Sequence, residues 1–183
     1  MPETPDLDPT LFDSLARFSG TLADASGEVI RRYYRQPIPV DIKADESPVT
    51  IADRQAEAAL RRLIEETYPD HGIIGEELDN IREDAEFVWV LDPIDGTRSF
   101  ITGKPLFGTL IALCHQQVPV IGIIDQPISG ERWLGRTGHP TLLGTQPVAT
   151  RPCAELAHAA LYTTGHEWYG AAHLTAFKEL EGR

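Results

Sequence analysis

Apolar residues recur at alternating steps of four and three near the start of the chain: Leu11, Leu15, Phe18, Leu22, Ala25 and Val29. That spacing gathers them on one face of a long amphipathic helix, with Pro9 at its start and Pro37 beyond its end. A second helix is expected to open at Thr50. Ala52, Ala56, Ala59, Leu63 and Thr67 would share its apolar face, with Arg61, Arg62, Glu65 and Glu66 around the other and Pro69 as its stop. The pattern then shortens. Gly72 to Gly75, Phe87 to Leu91, Leu106 to Leu113 and Val118 to Ile124 are brief apolar runs between polar turns, which read as strands of a central sheet. Further extended pieces are expected at Arg132 to Leu134, Leu142 to Leu143 and Ala159 to Thr163, and a last helix from about Trp168 to Leu180. Two helices, a mostly β region and another helix predict layered α/β (α+β) structure rather than the regular βαβ alternation of a Rossmann domain. The chain divides into an N-terminal α+β domain over 1–140 and the beginning of a second domain over 141–183.

Composition narrows the partners. The 183 residues carry 28 acidic and 16 basic side chains, a net charge of −12, so the long-range field repels phosphate backbones and anionic lipid. Nucleic acid and membrane are therefore not expected as partners. The N-terminus MPETPDLDPT has neither a basic nor an apolar leader region, which points to a cytoplasmic protein. Cys114 and Cys153 lack CxxC spacing and read as reduced core thiols.

The chemistry concentrates between residues 76 and 98. Glu76 and Glu77 follow one strand, and Asp92 and Asp95 follow another, so adjacent strands would bring four carboxylates to one sheet edge. Carboxylates so close repel one another unless a proton or a cation neutralises them. Oxygen donors without nearby His or Cys favour Mg²⁺ or Mn²⁺ over zinc. Pro93 holds Asp92 extended and Asp95-Gly96 favours a tight turn, so both carboxylates can converge with the Ile94 carbonyl between them. A helix starting at the turn would aim the amides of Gly96, Thr97 and Arg98 outward, where they suit a phosphate. Asp53 stands three residues after Thr50, the spacing of a capping box. Gly103-Lys104 lacks the spacing of a phosphate loop, and neither an HExxH nor a G-x-S-x-G motif occurs.

Gly75-Glu76-Glu77 and Asp92-Pro93-Ile94-Asp95-Gly96-Thr97, with Lys43 and Pro48-Val49-Thr50-Ile51-Ala52-Asp53 upstream, resemble the inositol monophosphatase superfamily of Mg²⁺-dependent, lithium-sensitive phosphatases. Arg98-Ser99-Phe100-Ile101, Gly108 to Ile111, Asp125-Gln126-Pro127 and Gly130 to Trp133 look most like its histidinol-phosphate phosphatase branch. The resemblance implies an αβαβα sugar-phosphatase fold, incomplete at the C-terminus. It also implies action on a small phosphorylated metabolite through metal-activated water, in histidine biosynthesis, and the sheet edges that a short C-terminus would expose point to a homodimer. Glu76, Asp92 and the Ile94 carbonyl would hold a first Mg²⁺, and Asp92 and Asp95 a second. Glu76 and Thr97 would position water, with Asp53 behind Thr97. Asp95, Gly96, Thr97 and Arg98 would bind the phosphate and border the substrate, with Lys43 and Glu77 in support. Li⁺ would inhibit. The family's later acidic motif has no counterpart in Thr163 to Arg183, and Gly165-His166-Glu167-Trp168 does not replace it. The chain thus reads as a fragment with a weakened second metal site, whose alternatives are an inositol monophosphatase or a non-catalytic metal- or phosphometabolite-binding protein.

Overall fold

The computed structural model describes residues 7–163 and 170–181. Helix α1 (Pro9–Tyr33) is capped by Asp8, whose side chain accepts the Leu11 amide, with proline in its first turn. Strands β1 (Val40–Ile42) and β2 (Pro48–Thr50) form an antiparallel hairpin that leads directly into α2 (Ile51–Thr67). A seven-stranded sheet follows in sequential order: β3 (Gly72–Gly75), β4 (Phe87–Asp95), β5 (Gly108–His115), β6 (Val118–Gln126), β7 (Glu131–Arg136), β8 (Thr141–Leu143) and β9 (Gln146–Val148). Only β3 and β4 pair in parallel; the other neighbours are antiparallel. A short helix, α3 (Thr97–Ile101), separates β4 from β5.

Helices α1 and α2 pack together and cover one face of β4 to β6, burying Leu15, Leu22, Leu60, Ile64, Ile73, Trp89, Ile111, Leu113 and Ile121 in one core. A smaller cluster of Ile30, Ala52, Ala56, Ile94, Phe100 and Phe107 sits under the β4–α3 turn. Alternation along the strands leaves Val90 and Ile124 exposed on the sheet's other face.

Both long helices form, but each is rotated from its expected face. The buried stripe of α1 includes Ala16, Ser19, Ala23, Ser26 and Gly27, while Leu11 is exposed. Small residues let the helix approach the sheet closely, which a search for large apolar residues does not register. Arg61, expected on the solvent face of α2, is buried with Glu57, because the two pair at 2.8 Å. Strand β4 runs through Asp95 instead of stopping at Leu91, and β5 begins at Gly108, with Leu106 exposed.

The chain forms two compact units, residues 1–148 and 149–183. Strands β8 and β9 continue the first unit's sheet beyond residue 140. The second unit contains a 3₁₀ turn (Leu156–His158) and α4 (Ala171–Glu181). Ala159 to Thr163 is exposed and is not in a strand. The expected helix start at Trp168 and the segment Gly165 to Trp168 lie outside the described residues. Both cysteines are free, but Cys153 is exposed rather than in a core. Among the described residues, no helix is long and apolar enough to cross a membrane.

Candidate active site

Parallel pairing sets Gly75 opposite Leu91, so the chain segments leaving β3 and β4 emerge at one sheet edge. The register of β4 on β5 shifts between Asp92 and Asp95, and Pro93-Ile94 forms the irregularity. Proline has no N–H to give to a ladder, so a bulge accommodates it. The Pro93 carbonyl is held from behind by Thr109, whose buried hydroxyl donates to it at 2.8 Å and lies 3.1 Å from the Ser26 hydroxyl of α1. Gly96 then adopts a left-handed conformation, φ 92°, and a Cβ there would stand 2.9 Å from the Leu106 carbonyl oxygen. Only glycine makes this turn without strain. Helical hydrogen bonding begins with the Ser99 amide, which donates to the Gly96 carbonyl.

Asp92 sits partly buried at the bulge. Burial, then the facing Glu76 and the Asp95 charge, push its carboxyl up to about 8. Its Oδ1 is fully buried and has no hydrogen-bond partner among the described residues. A buried carboxylate oxygen without a donor is an acceptor awaiting a cation or a proton. Lys43, from the β1–β2 hairpin, donates to Glu76 at 2.9 Å and to Glu77 at 2.7 Å. Burial alone would lower the Lys43 ammonium, but its bonds to Glu77 and Glu76 outweigh that and hold it above its ordinary value. Burial raises the Glu77 carboxyl, against the lowering effect of Lys43.

Asp53 is 1 % exposed and closes a capping box. Its Oδ2 accepts the Thr50 amide at 2.8 Å and the Thr50 hydroxyl at 2.6 Å. Its other oxygen faces the Thr97 hydroxyl at 3.4 Å, and that hydroxyl also lies 3.1 Å from the Ile94 carbonyl. Burial raises the Asp53 carboxyl, opposed by the hydrogen bonds from Thr50 and Thr97. Capping and contact with Thr97 thus coexist, one on each carboxylate oxygen.

The structure therefore brings Lys43, Glu76 and Glu77 together, sets Asp92 against Glu76, and joins Asp53, Thr97 and Ile94. Asp95, Gly96 and Arg98 are exposed at the mouth. Among the described residues, no three His, Cys, Asp or Glu side chains already stand as a ready metal cage, because Lys43 engages Glu76 and Glu77. The donor set is nevertheless all oxygen, and the orphaned Asp92 Oδ1 fits a hard divalent cation.

Two supporting residues escaped the sequence reading. Glu57, fully buried in α2, accepts the Glu77 amide at 2.8 Å and the Leu78 amide at 3.2 Å. Arg61 donates to Glu57 and to the carbonyls of Asp79 and Leu78. The i,i+4 spacing of Glu57 and Arg61 was the available signal. The contacts of Thr109 with Ser26 and the Pro93 carbonyl carried none.

Comparisons with known proteins follow the same lines. The model of the inositol monophosphatase family matches residues 12–181. The chain is 52% identical over 180 residues to the bifunctional phosphatase IMPL2, chloroplastic, of Arabidopsis thaliana, covering 97% of this chain and 52% of that protein. It is 37% identical over 148 residues to a histidinol-phosphatase of Chlorobaculum parvum, covering 80% of this chain and 57% of the other. Among solved structures, an inositol monophosphatase from Zymomonas mobilis superposes with a TM-score of 0.81 at 45% identity, covering 93% of this chain and 66% of that one. The chain spans about half the length of the curated relatives it matches.

Proposed function

The chain belongs to the inositol monophosphatase family, and on that premise we propose that it serves hydrolysis of a small phosphomonoester, with Mg²⁺ as cofactor and histidinol phosphate as substrate. The observation that carries this reading is the buried, partnerless Asp92 Oδ1, set against Glu76 next to the Thr97–Asp53 pair.

Asp92, Glu76 and the Ile94 carbonyl would hold one Mg²⁺, and Asp92 and Asp95 would contribute to a second. When bound, the cation supplies positive charge that polarises the ester and acidifies water. The chain's own groups do the rest. Glu76 and the Thr97 hydroxyl orient the attacking water, and Asp53, accepting from Thr97, turns the hydroxyl's lone pairs toward it. The amides at Gly96 and Thr97 donate to the phosphate oxygens, presented by the left-handed turn that Gly96 allows. Lys43 fixes the carboxylates of Glu76 and Glu77, and Arg98 borders the substrate. The acidic overall charge disfavours polyanionic substrates and leaves small phosphorylated metabolites.

Support for histidinol phosphate comes from the Arg98-Ser99-Phe100-Ile101 run and from the 37% identity to a histidinol-phosphatase. Inositol monophosphate is the rival substrate, favoured by the 45% identity to the Zymomonas mobilis structure. Parallel phosphate-release assays with Mg²⁺ on the two esters decide between them. A purified protein that releases phosphate from neither overturns the enzymatic reading, and metal binding by calorimetry that disappears in Glu76→Gln would then leave a binding protein.

A further inference from the structure

Away from the acid site, a cleft of about 450 Å³ runs between α1 and the β6–β7–β8 part of the sheet. Three arginines line it: Arg17 from α1, and Arg132 and Arg136 from β7. In a chain of net charge −12, the three guanidinium groups balance the three carboxylates they face, those of Asp13, Asp24 and Asp125.

Their partners differ. Arg132 is fully engaged, donating to Asp125 at 2.6 Å, to Asp24 at 2.7 Å and to the Gly20 carbonyl at 3.2 Å. It is a strut between α1 and the sheet, with each of its three guanidinium nitrogens already holding a partner. Among the described residues, Arg136 donates through Nη2 alone, to Asp13 at 2.6 Å. Its Nε is buried without a hydrogen-bond partner, and its guanidinium lies over the Phe12 ring at 4.7 Å. Packing on the ring fixes the plane of that guanidinium while leaving donor capacity unused. Arg17 is exposed and makes no ion pair among the described residues, although its charge, with those of Arg136 and His139, acts on Asp13. One carboxylate therefore faces two arginines that have donors to spare, and Ile123 and Leu134 add apolar wall to the cleft.

We propose that this cleft binds the oxyanion group, carboxylate or phosphate, of a small metabolite between Arg17 and Arg136, at a place distinct from the acid site. Two planar forks match the paired oxygens of such a group. Asp13 is the resident competitor: it occupies Arg136 until an external anion takes up the remaining donors. None of the cleft residues belongs to the Lys43, Glu76, Asp92 and Thr97 constellation, so binding here does not depend on the proposed phosphatase chemistry.

The test is nuclear magnetic resonance of the ¹⁵N-labelled protein titrated separately with inorganic phosphate and with succinate, against sodium chloride at matched ionic strength. Amides of Arg17, Gly20 and Gly144 report the cleft; those of Gly96 and Thr97 report the acid site. Saturable shifts of the cleft set with either anion are expected, and the pair of titrations tells phosphate from carboxylate recognition. Arg17→Gln, which breaks no ion pair, is expected to weaken that binding by about tenfold, and Asp13→Asn, which removes the competitor, to tighten it. Cleft amides that follow sodium chloride alone, or an affinity unchanged in both variants, overturn the proposal.

Discussion

Gly75 lies so close to the Glu57 carboxylate that a Cβ at Gly75 would stand 1.9 Å from Oε1 and 2.5 Å from an Arg61 nitrogen. The glycine at the end of β3 therefore makes room for a buried ion pair, and that pair holds the amides of Glu77 and Leu78. The loop that carries Glu76 and Glu77 is positioned from below by α2. Gly75→Ala is expected to destabilise the protein by at least about 2 kcal/mol, the cost of overpacking against atoms that cannot retreat. Glu57→Gln, which strands the Arg61 charge, is expected to cost about 3 kcal/mol or more. Urea unfolding midpoints measure both, and unchanged midpoints would deny the loop this support.

Asp92 makes metal-free stability depend on pH. Its carboxyl is pushed up from 3.8 to about 8, so the folded state favours the neutral acid. The stability from keeping it neutral is complete below pH 3.8 and is lost as pH rises through about 8. Asp92→Asn stays neutral throughout. In the metal-free protein its advantage over the parent is expected to grow from pH 4 towards 8, reaching about 1 kcal/mol after allowance for solvent screening of a half-exposed group. Adding Mg²⁺ should raise the melting temperature of the parent and not of the variant. Melting curves with and without chelator across this range check both statements.

The distribution of what the sequence disclosed follows the range of the interactions. Asp92 to Thr97 was readable because proline, two acids and glycine act within six neighbouring residues, where turn chemistry is local. The two long helices were readable from periodicity, but their rotation was not. It depends on Ser26 and Gly27 meeting Thr109 and Pro127, far along the chain. Asp53 was legible as a cap, and its second contact, to Thr97, links positions 44 apart. Thr109 was read only as part of the Gly108 to Ile111 run, since a buried threonine in an apolar run gives no sign of its role until its partner, the Pro93 carbonyl, is seen.

Thr97 and Asp53 separate chemistry from stability. The Thr97 hydroxyl holds no cap, so Thr97→Ala is expected to leave the melting temperature nearly unchanged, within about 0.5 kcal/mol. The same change should lower phosphate release by roughly a hundredfold, the scale of losing one group that positions a proton. Asp53→Ala removes both the cap of α2 and the acceptor for Thr97. It is expected to lose a similar activity and, in addition, about 1–2 kcal/mol of stability. Equal stability losses in the two variants would show that Thr97 is structural.

At the opposite end of β4, the Trp89 indole, fully buried, donates to Nδ1 of His71 at 3.0 Å. His71 lies stacked between Tyr68, at 4.6 Å, and Phe87, at 5.0 Å. A nitrogen that accepts from Trp89 cannot carry a proton, so this contact requires neutral imidazole. Burial lowers the His71 pKa below 6.5, and the nearby Asp70 and Glu86 charges only partly offset it. For a histidine shifted downward, the stability is present above pH 6.5 and is lost as pH falls through the lower folded value. His71→Asn offers an acceptor that does not titrate. The parent is therefore expected to lose more stability than His71→Asn between pH 7 and 5. Parallel melting curves at the two pH values measure the difference, and identical losses would deny that the Trp89 contact ties stability to neutral His71.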